Sequence, residues 1–161
     1  MEEEFAVKKF IAIVLTLICI FGVVGCSNRK ENTTTAYSFH GEDENFTITH
    51  GEIVLGDKEE EFSGGDIEYR PDLFDDVKSY ATTFYTLKDG EKNVILSNSI
   101  DDQAGISIQV ETNLGKISGP NIISESVEKI DDIEENLWFE LTIKYKNGEE
   151  KTYPLQLSVI K

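Results

Sequence analysis

Cysteine and histidine are rare in this sequence, two of each, and their spacing narrows the chemistry they could do. Cys26, in FGVVGCSNRK, places a thiol where an apolar run ends and a polar one begins; the other cysteine, Cys19, lies inside that run. Histidine, which titrates nearest neutrality, occurs twice, as His40 and His50, on either side of Gly41-Glu42-Asp43-Glu44-Asn45. With Glu42 or Asp43 the two would have the composition of a metal or acid–base site, and the plainer reading is a pair of loop histidines at a hairpin-like corner. Three aspartate pairs, Asp75-Asp76, Asp101-Asp102 and Asp131-Asp132, fall between expected strands, where carboxylate and carbonyl oxygens build calcium sites of the weak extracellular kind. None has EF-hand spacing, and solvated turn residues are the alternative. Ser63-Gly64-Gly65-Asp66 has the outline of a nucleophile loop, but no histidine stands close by in sequence and glycine pairs in β proteins commonly mark bends. No H-E-x-x-H, paired C-x-x-C, G-x-S-x-G, phosphate loop or dinucleotide fingerprint occurs.

The setting of Cys26 is more specific. Residues 10–24, FIAIVLTLICIFGVV, carry no charge and follow Lys8 and Lys9, so the order is basic, apolar, small, the pattern of a secretory signal. Fifteen residues give about 22 Å of helix, short of the ~30 Å hydrocarbon core, which favours a cleaved signal over a permanent span. The end of the run, Val23-Val24-Gly25-Cys26, resembles the lipobox of bacterial lipoproteins. The resemblance implies diacylation of the Cys26 sulfur, cleavage between Gly25 and Cys26, and Cys26 as the mature N-terminus. Two buried acyl chains make a stable anchor where one is marginal. A second segment, FHGEDENF at residues 39–46, resembles one in small uncharacterised surface lipoproteins of Gram-positive bacteria, where G-E-[SD]-E-N-aromatic opens a β domain. That likeness brings no activity with it.

The leading MEEEFA is acidic where a signal should be basic. Initiation at Val7 through a GTG codon would give the conventional opening M-K-K-F-I-A, with the glutamate codons upstream reading as a purine-rich ribosome-binding site. A non-initiating valine codon at position 7 would then abolish expression from the natural upstream region.

Setting aside the first 25 residues, which hold three of the 31 acids and two of the 15 bases, leaves 136 residues of formal charge −15. That balance argues against nucleic acid as a partner, since phosphate binding needs clustered Lys and Arg. It also keeps the domain off anionic lipid headgroups. With Cys19 and Cys26 accounted for, no disulfide or thiolate site is left, and stability must come from packing.

Those residues are positioned by a β framework. Residues 1–25 read as the signal helix, 26–36 as the lipidated N-terminus and flexible tether, and 37–161 as one domain. The segment LWFELTIKY, Leu137–Tyr145, has apolar residues at every odd position, which buries one face. Asn147-Gly148 then turns the chain into a last strand with Tyr153, Leu155, Leu157 and Val159 in phase. Pro154, lacking a donor, belongs on an edge or at a bulge. Asp89-Gly90 predicts a second hairpin, Ile106, Ile108 and Val110 a strand, and residues 121–130 another. Across His50-Gly51 the apolar phase shifts, predicting a β-bulge with Gly51 at positive φ, and residues 72–79 have room for one helical turn. Eight or nine strands without a repeat predict an antiparallel β-sandwich, immunoglobulin-like, with a small barrel as the alternative. Trp138 points with Glu140, Thr142 and Lys144 away from the apolar face, either under a covering loop or on a contact surface.

The expected function is therefore a non-enzymatic binding module held by lipid at the outer face of a bacterial cell membrane, its partner a protein or cell-wall ligand. The alternative is an envelope enzyme, or a calcium-binding domain, using the loop carboxylates and the two histidines.

Overall fold

A computed structural model describes residues 34–101, 110–127 and 132–161. Gly25, Cys26, Asp102, Asp131, Ile106 and Ile108 lie outside the described residues, and with them the expected signal helix, lipidation site and most of the tether.

Ten strands are formed among the described residues, more than the eight or nine expected: β1 Thr35–Glu42, β2 Phe46–Leu55, β3 Glu60–Ser63, β4 Asp66–Tyr69, β5 Val77–Lys88, β6 Glu91–Asp101, β7 Lys116–Gly119, β8 Leu137–Tyr145, β9 Glu150–Gln156 and β10 Ser158–Ile160. A 3₁₀ turn, Pro71–Phe74, precedes β5, and one helical turn, α1, Ile133–Asn136, precedes β8. Two antiparallel sheets result. The first runs β10-β1-β2-β3-β7 with β4 also on β2, and the second runs β6-β5-β8-β9. No described pairing joins the two into a barrel.

The additional strands have local causes. β3 and β4 both pair with β2, β3 opposite Glu52 to Leu55 and β4 opposite Phe46 to Thr49; they are one long strand broken at Gly64-Gly65. At Gly64 a side chain would strike the Phe84 ring and Leu114. Gly65 has φ +74, and a Cβ there would strike the backbone of Thr49 and Gly51, so the pair is a bend that steric contact enforces. Opposite it lies the expected bulge in β2, where Phe39 faces Gly51 but Gly41 faces Ile48. The positive φ expected of Gly51 belongs instead to His50, at φ 57. Gly51 is needed for space: the Phe39 ring lies where its Cβ would be. The last extra strand arises because Leu157, donating to the Leu137 carbonyl at 2.9 Å, turns the chain from β9 into β10 on the other sheet.

Both hairpins form. Lys88 pairs with Glu91 across Asp89 and Gly90, both at positive φ (54 and 82), the two-residue turn that matches strand twist. The other hairpin differs from the expected two-residue form. Only Gly148 has positive φ, its N–H bonds the Tyr145 carbonyl at 3.0 Å, and the Tyr145 N–H bonds Glu149 at 2.8 Å, making a three-residue loop with a glycine bulge. β9 is an edge strand, which is where Pro154 is tolerated.

Residues 121–127 form consecutive turns rather than the expected strand. They are held by a buried carboxylate on β3. Glu60 accepts from the Ile123 N–H at 2.7 Å, the Ser124 N–H at 3.1 Å and the Ser124 hydroxyl. The alternating apolar residues of this segment reach the core through Ile123, fully buried, without any ladder.

Between the sheets the core is a run of phenylalanine rings. Phe39 stacks on Phe62 at 5.3 Å, both meet Phe84 of the opposite sheet, and Phe84 meets Phe139, which meets Phe46 at 5.4 Å. The chain of edge-on and stacked contacts crosses the interface twice, and such pairs contribute about 0.5–1.5 kcal/mol each beyond burial. Leu137, Phe139, Leu141 and Ile143 of β8 are buried while Trp138, Glu140, Thr142 and Lys144 are not, as the alternation requires.

Candidate contact face

The outward side of the β6-β5-β8-β9 sheet follows from register. Trp138 lies opposite Tyr85 on β5 and Gln156 on β9; Glu140 opposite Thr83 and Pro154; Thr142 opposite Ala81 and Thr152; Lys144 opposite Ser79 and Glu150. On β6, Ser97 and Ser99 face Thr83 and Ala81, and an extra residue, Ile95, carries the strand across a bulge to Val94 opposite Tyr85. Ile95 turns inward and is buried, and Val94 is left exposed.

Aromatic and charged groups gather at one end of this face. The Trp138 and Tyr85 rings lie near parallel at 6.5 Å, Lys92 Nζ sits 4.6 Å above the Tyr85 ring, and the same ammonium meets Glu140 Oε2 at 2.5 Å. The hydrogen bond from Lys92 to Glu140 raises the lysine's pKa. Burial raises the Tyr85 pKa, with the nearby Lys92 charge pulling the other way. Tyr85 is thereby a neutral, packed base for Trp138, itself half-buried.

The rest of the face is small and hydroxyl-bearing. Thr83 and Ser97 share a hydrogen bond at 3.0 Å, Thr142 and Thr152 one at 3.3 Å. Around Ala81 the low side chains leave a shallow depression of about 330 Å³, rimmed by Lys144, Glu150 and Asp101. This face therefore combines one aromatic platform with rows of hydroxyl donors and acceptors.

The residues singled out for catalysis lie elsewhere. Asp43 closes the β1–β2 turn, its Oδ1 accepting from the Asn45 N–H at 2.7 Å and the Phe46 N–H at 2.9 Å. His40 is exposed on β1. His50 pairs with Asp66, Nδ1 to Oδ2 at 3.2 Å, and the same Nδ1 lies 3.2 Å from Thr49 Oγ1. Thr49 and Asp66 thus meet the same ring nitrogen, so Thr49 does not stand at the opposite nitrogen where a triad holds its nucleophile. Both side chains of the His50–Asp66 pair are open to water, 81% and 51% exposed. Asp66 of the Ser63-Gly64-Gly65-Asp66 stretch is thus a surface partner of His50, and Gly64-Gly65 a bend.

The aspartate pairs separate by position. Asp76, at φ 54, leads into the start of β5, and Asp101 ends β6 opposite Ser79, so these two loops share one end of the sheet. Asp132 immediately precedes α1, which leads into Leu137 opposite Thr86, roughly 25 Å away at about 3.3 Å per residue. Of the described aspartates, Asp76 and Asp101 therefore share one end of the sheet and Asp132 lies at the other. Among the described residues no three His, Cys, Asp or Glu side chains come together as a metal-holding group.

Sequence reasoning put Trp138 and Glu140 on one face but missed Tyr85 and Lys92 as their company. The Asp89-Gly90 turn aligned β6 with β5 and Asn147-Gly148 set β9 beside β8, but the pairing of β5 with β8 was not written in any turn, and the Ile95 bulge shifts the phase.

No known protein family, curated protein or solved structure matches this chain.

Proposed function

We propose that the chain is a lipid-anchored extracytoplasmic lipoprotein, non-enzymatic, whose β-sandwich presents the outward face of the β6-β5-β8-β9 sheet to a partner at the cell envelope. The observation that carries the binding reading is Trp138, half-buried on Tyr85 among outward Thr and Ser residues that are exposed or half-buried. A large aromatic ring kept partly in water has a use as a contact residue. The anchor reading rests on Val23-Val24-Gly25-Cys26 at the end of a charge-free run. An enzymatic reading has less to stand on, because Thr49 and Asp66 meet the same His50 nitrogen and the His50 and Asp66 side chains are solvated. The immunoglobulin likeness is one of layering, two antiparallel sheets over an aromatic core, while β1 to β4 follow one another within a single sheet.

The test is intact mass and membrane partition of the protein from its native host, wild type beside Cys26→Ala. A membrane-bound wild type with diacylglycerol on Cys26, and an unprocessed, unlipidated variant, are expected. A wild type without lipid ends the anchor reading.

A further inference from the structure

The two outward faces of the sandwich differ in charge. On the β10-β1-β2-β3-β7 side Glu42, Glu52, Glu61, Asp66 and Glu68 outnumber Lys116 and, beside Glu52 at the end of β10, Lys161. On the β6-β5-β8-β9 side lysines and acids are interspersed: Lys92 bonds Glu140, Lys144 is the cross-strand neighbour of Glu150, and Lys78 is exposed beside Ser79. Asp101 is the one further charge among the outward positions paired above. A molecule of formal charge −16 therefore keeps one face close to neutral, and it is the face that carries Trp138.

We infer that this face takes an uncharged glycan strand of the cell wall surrounding the membrane, an inference that rests on the envelope reading above. Polyanions need clustered cations, which the face lacks. A cationic peptide would find its complement on the other sheet. Tight protein partners are anchored by several Trp, Tyr and Arg side chains in desolvated pockets, and here Tyr85 is already covered and no arginine is among the residues named. What the face offers suits a sugar. An aromatic surface receives the C–H side of a pyranose, and hydroxyls that both donate and accept match the sugar's own. The aromatic end and the depression around Ala81 are joined along β8 from Trp138 to Lys144, about 20 Å at 3.3 Å per residue, so the occupant is an extended strand of several sugars rather than one ring.

Trp138 is the single tryptophan, so its emission reports directly on this face. The full chain, in a polyoxyethylene detergent that carries no sugar, is titrated with the β-1,4-linked tetrasaccharide of N-acetylglucosamine. A saturable change in Trp138 emission is expected. Ser99→Arg and Thr152→Arg, at exposed positions of the two edge strands, should weaken binding at least tenfold with melting temperatures equal to wild type, and His50→Arg on the opposite face should leave it unchanged. No saturable emission change and no heat of binding overturns the inference, as does binding that both arginine variants leave intact. Lysine-rich peptide binding that those variants abolish, with no glycan binding, would overturn the glycan and leave the contact face standing. An unlipidated Cys26 in a protein that still binds the tetrasaccharide would instead end the anchor reading alone.

Discussion

Glu60 is the most consequential buried polar group in the fold, and its removal has a calculable cost. The carboxylate, 5% exposed, takes the N–H groups of Ile123 and Ser124 and the Ser124 hydroxyl. In Glu60→Ala the buried Ile123 N–H and the Ser124 N–H, on an exposed residue, lose their acceptor; at about 1–3 kcal/mol for a buried unsatisfied donor and little for one that water can reach, the loss is roughly 1–3 kcal/mol. Domains of this kind have on the order of 5–15 kcal/mol in all. A shift of about 4 °C per kcal/mol puts the melting temperature down by on the order of 10 °C. Glu60→Gln keeps one carbonyl oxygen for the two N–H groups while the Ser124 hydroxyl rotates to accept from the amide, so it should lose only the charge assistance, about 1 kcal/mol. Urea unfolding followed by Trp138 emission measures both variants. Hydrogen exchange then separates global from local loss, since in the alanine variant the Ile123 and Ser124 amides should lose protection first. The double variant with Ser124→Ala should show coupling of about 0.5–3 kcal/mol. An alanine variant as stable as wild type, with those amides still protected, would refute the reasoning.

Gly65→Ala and Gly90→Ala form a controlled pair, since both glycines have positive φ but only Gly65 has backbone in the way. The cost at Gly90 should be about 1 kcal/mol and that at Gly65 several times larger by urea unfolding, and equal costs would contradict the bend. Tyrosine ionisation should open the fold at high pH: Tyr145 is pushed up to about 12 by burial and its bond with Tyr153, and burial also raises Tyr69, Tyr80 and Tyr85. A folded pKa above the unfolded one stabilises fully below about pH 10. That stability is lost as pH climbs from there through about 12 for Tyr145; an absorbance titration at 295 nm showing these residues ionise at ordinary values in the folded state would count against it. Gly51→Val should misplace the Phe39 ring and leave a protein that binds hydrophobic dye, or none at all in the soluble fraction.

The strands with one buried face were legible because alternation is a local signal. β8 could be read residue by residue, and Asp89-Gly90 announced its hairpin, since only residues tolerant of positive φ make that turn. Long-range determinants were not legible. The 121–130 run looked like a strand because Ile123 and Val127 must be buried, yet what fixes them is a glutamate some sixty positions upstream, and no periodicity reports a carboxylate meeting a backbone turn. Gly51 was expected to supply a backbone conformation and instead supplies room for Phe39, while His50 accepts the left-handed φ. A phase shift locates a bulge but does not say which of its two residues is strained. For the candidate face, Trp138 stood out by being on the wrong side of an amphipathic strand, and its neighbours depended on β5 pairing with β8 across more than forty intervening residues.

The same alternation decides how cleanly the contact face can be tested. Stability resides in the phenylalanine run between the sheets, reached only from inward positions, and β8 sends Phe139 inward and Trp138 outward from adjacent residues. Substitutions at Ser99 or Thr152 touch no ring of that run, so a binding loss there is a loss at the surface. Tyr85 is the exception: it belongs to the outward phase but is 3% exposed, packed by Trp138 and Lys92. Tyr85→Ala would remove the platform beneath Trp138 and a buried ring together, confounding contact with folding. Tyr85→Phe separates them, keeping the ring and removing the hydroxyl: a variant that melts like wild type and still binds would show that Tyr85 acts as support for Trp138 rather than as a hydrogen-bonding partner of the ligand.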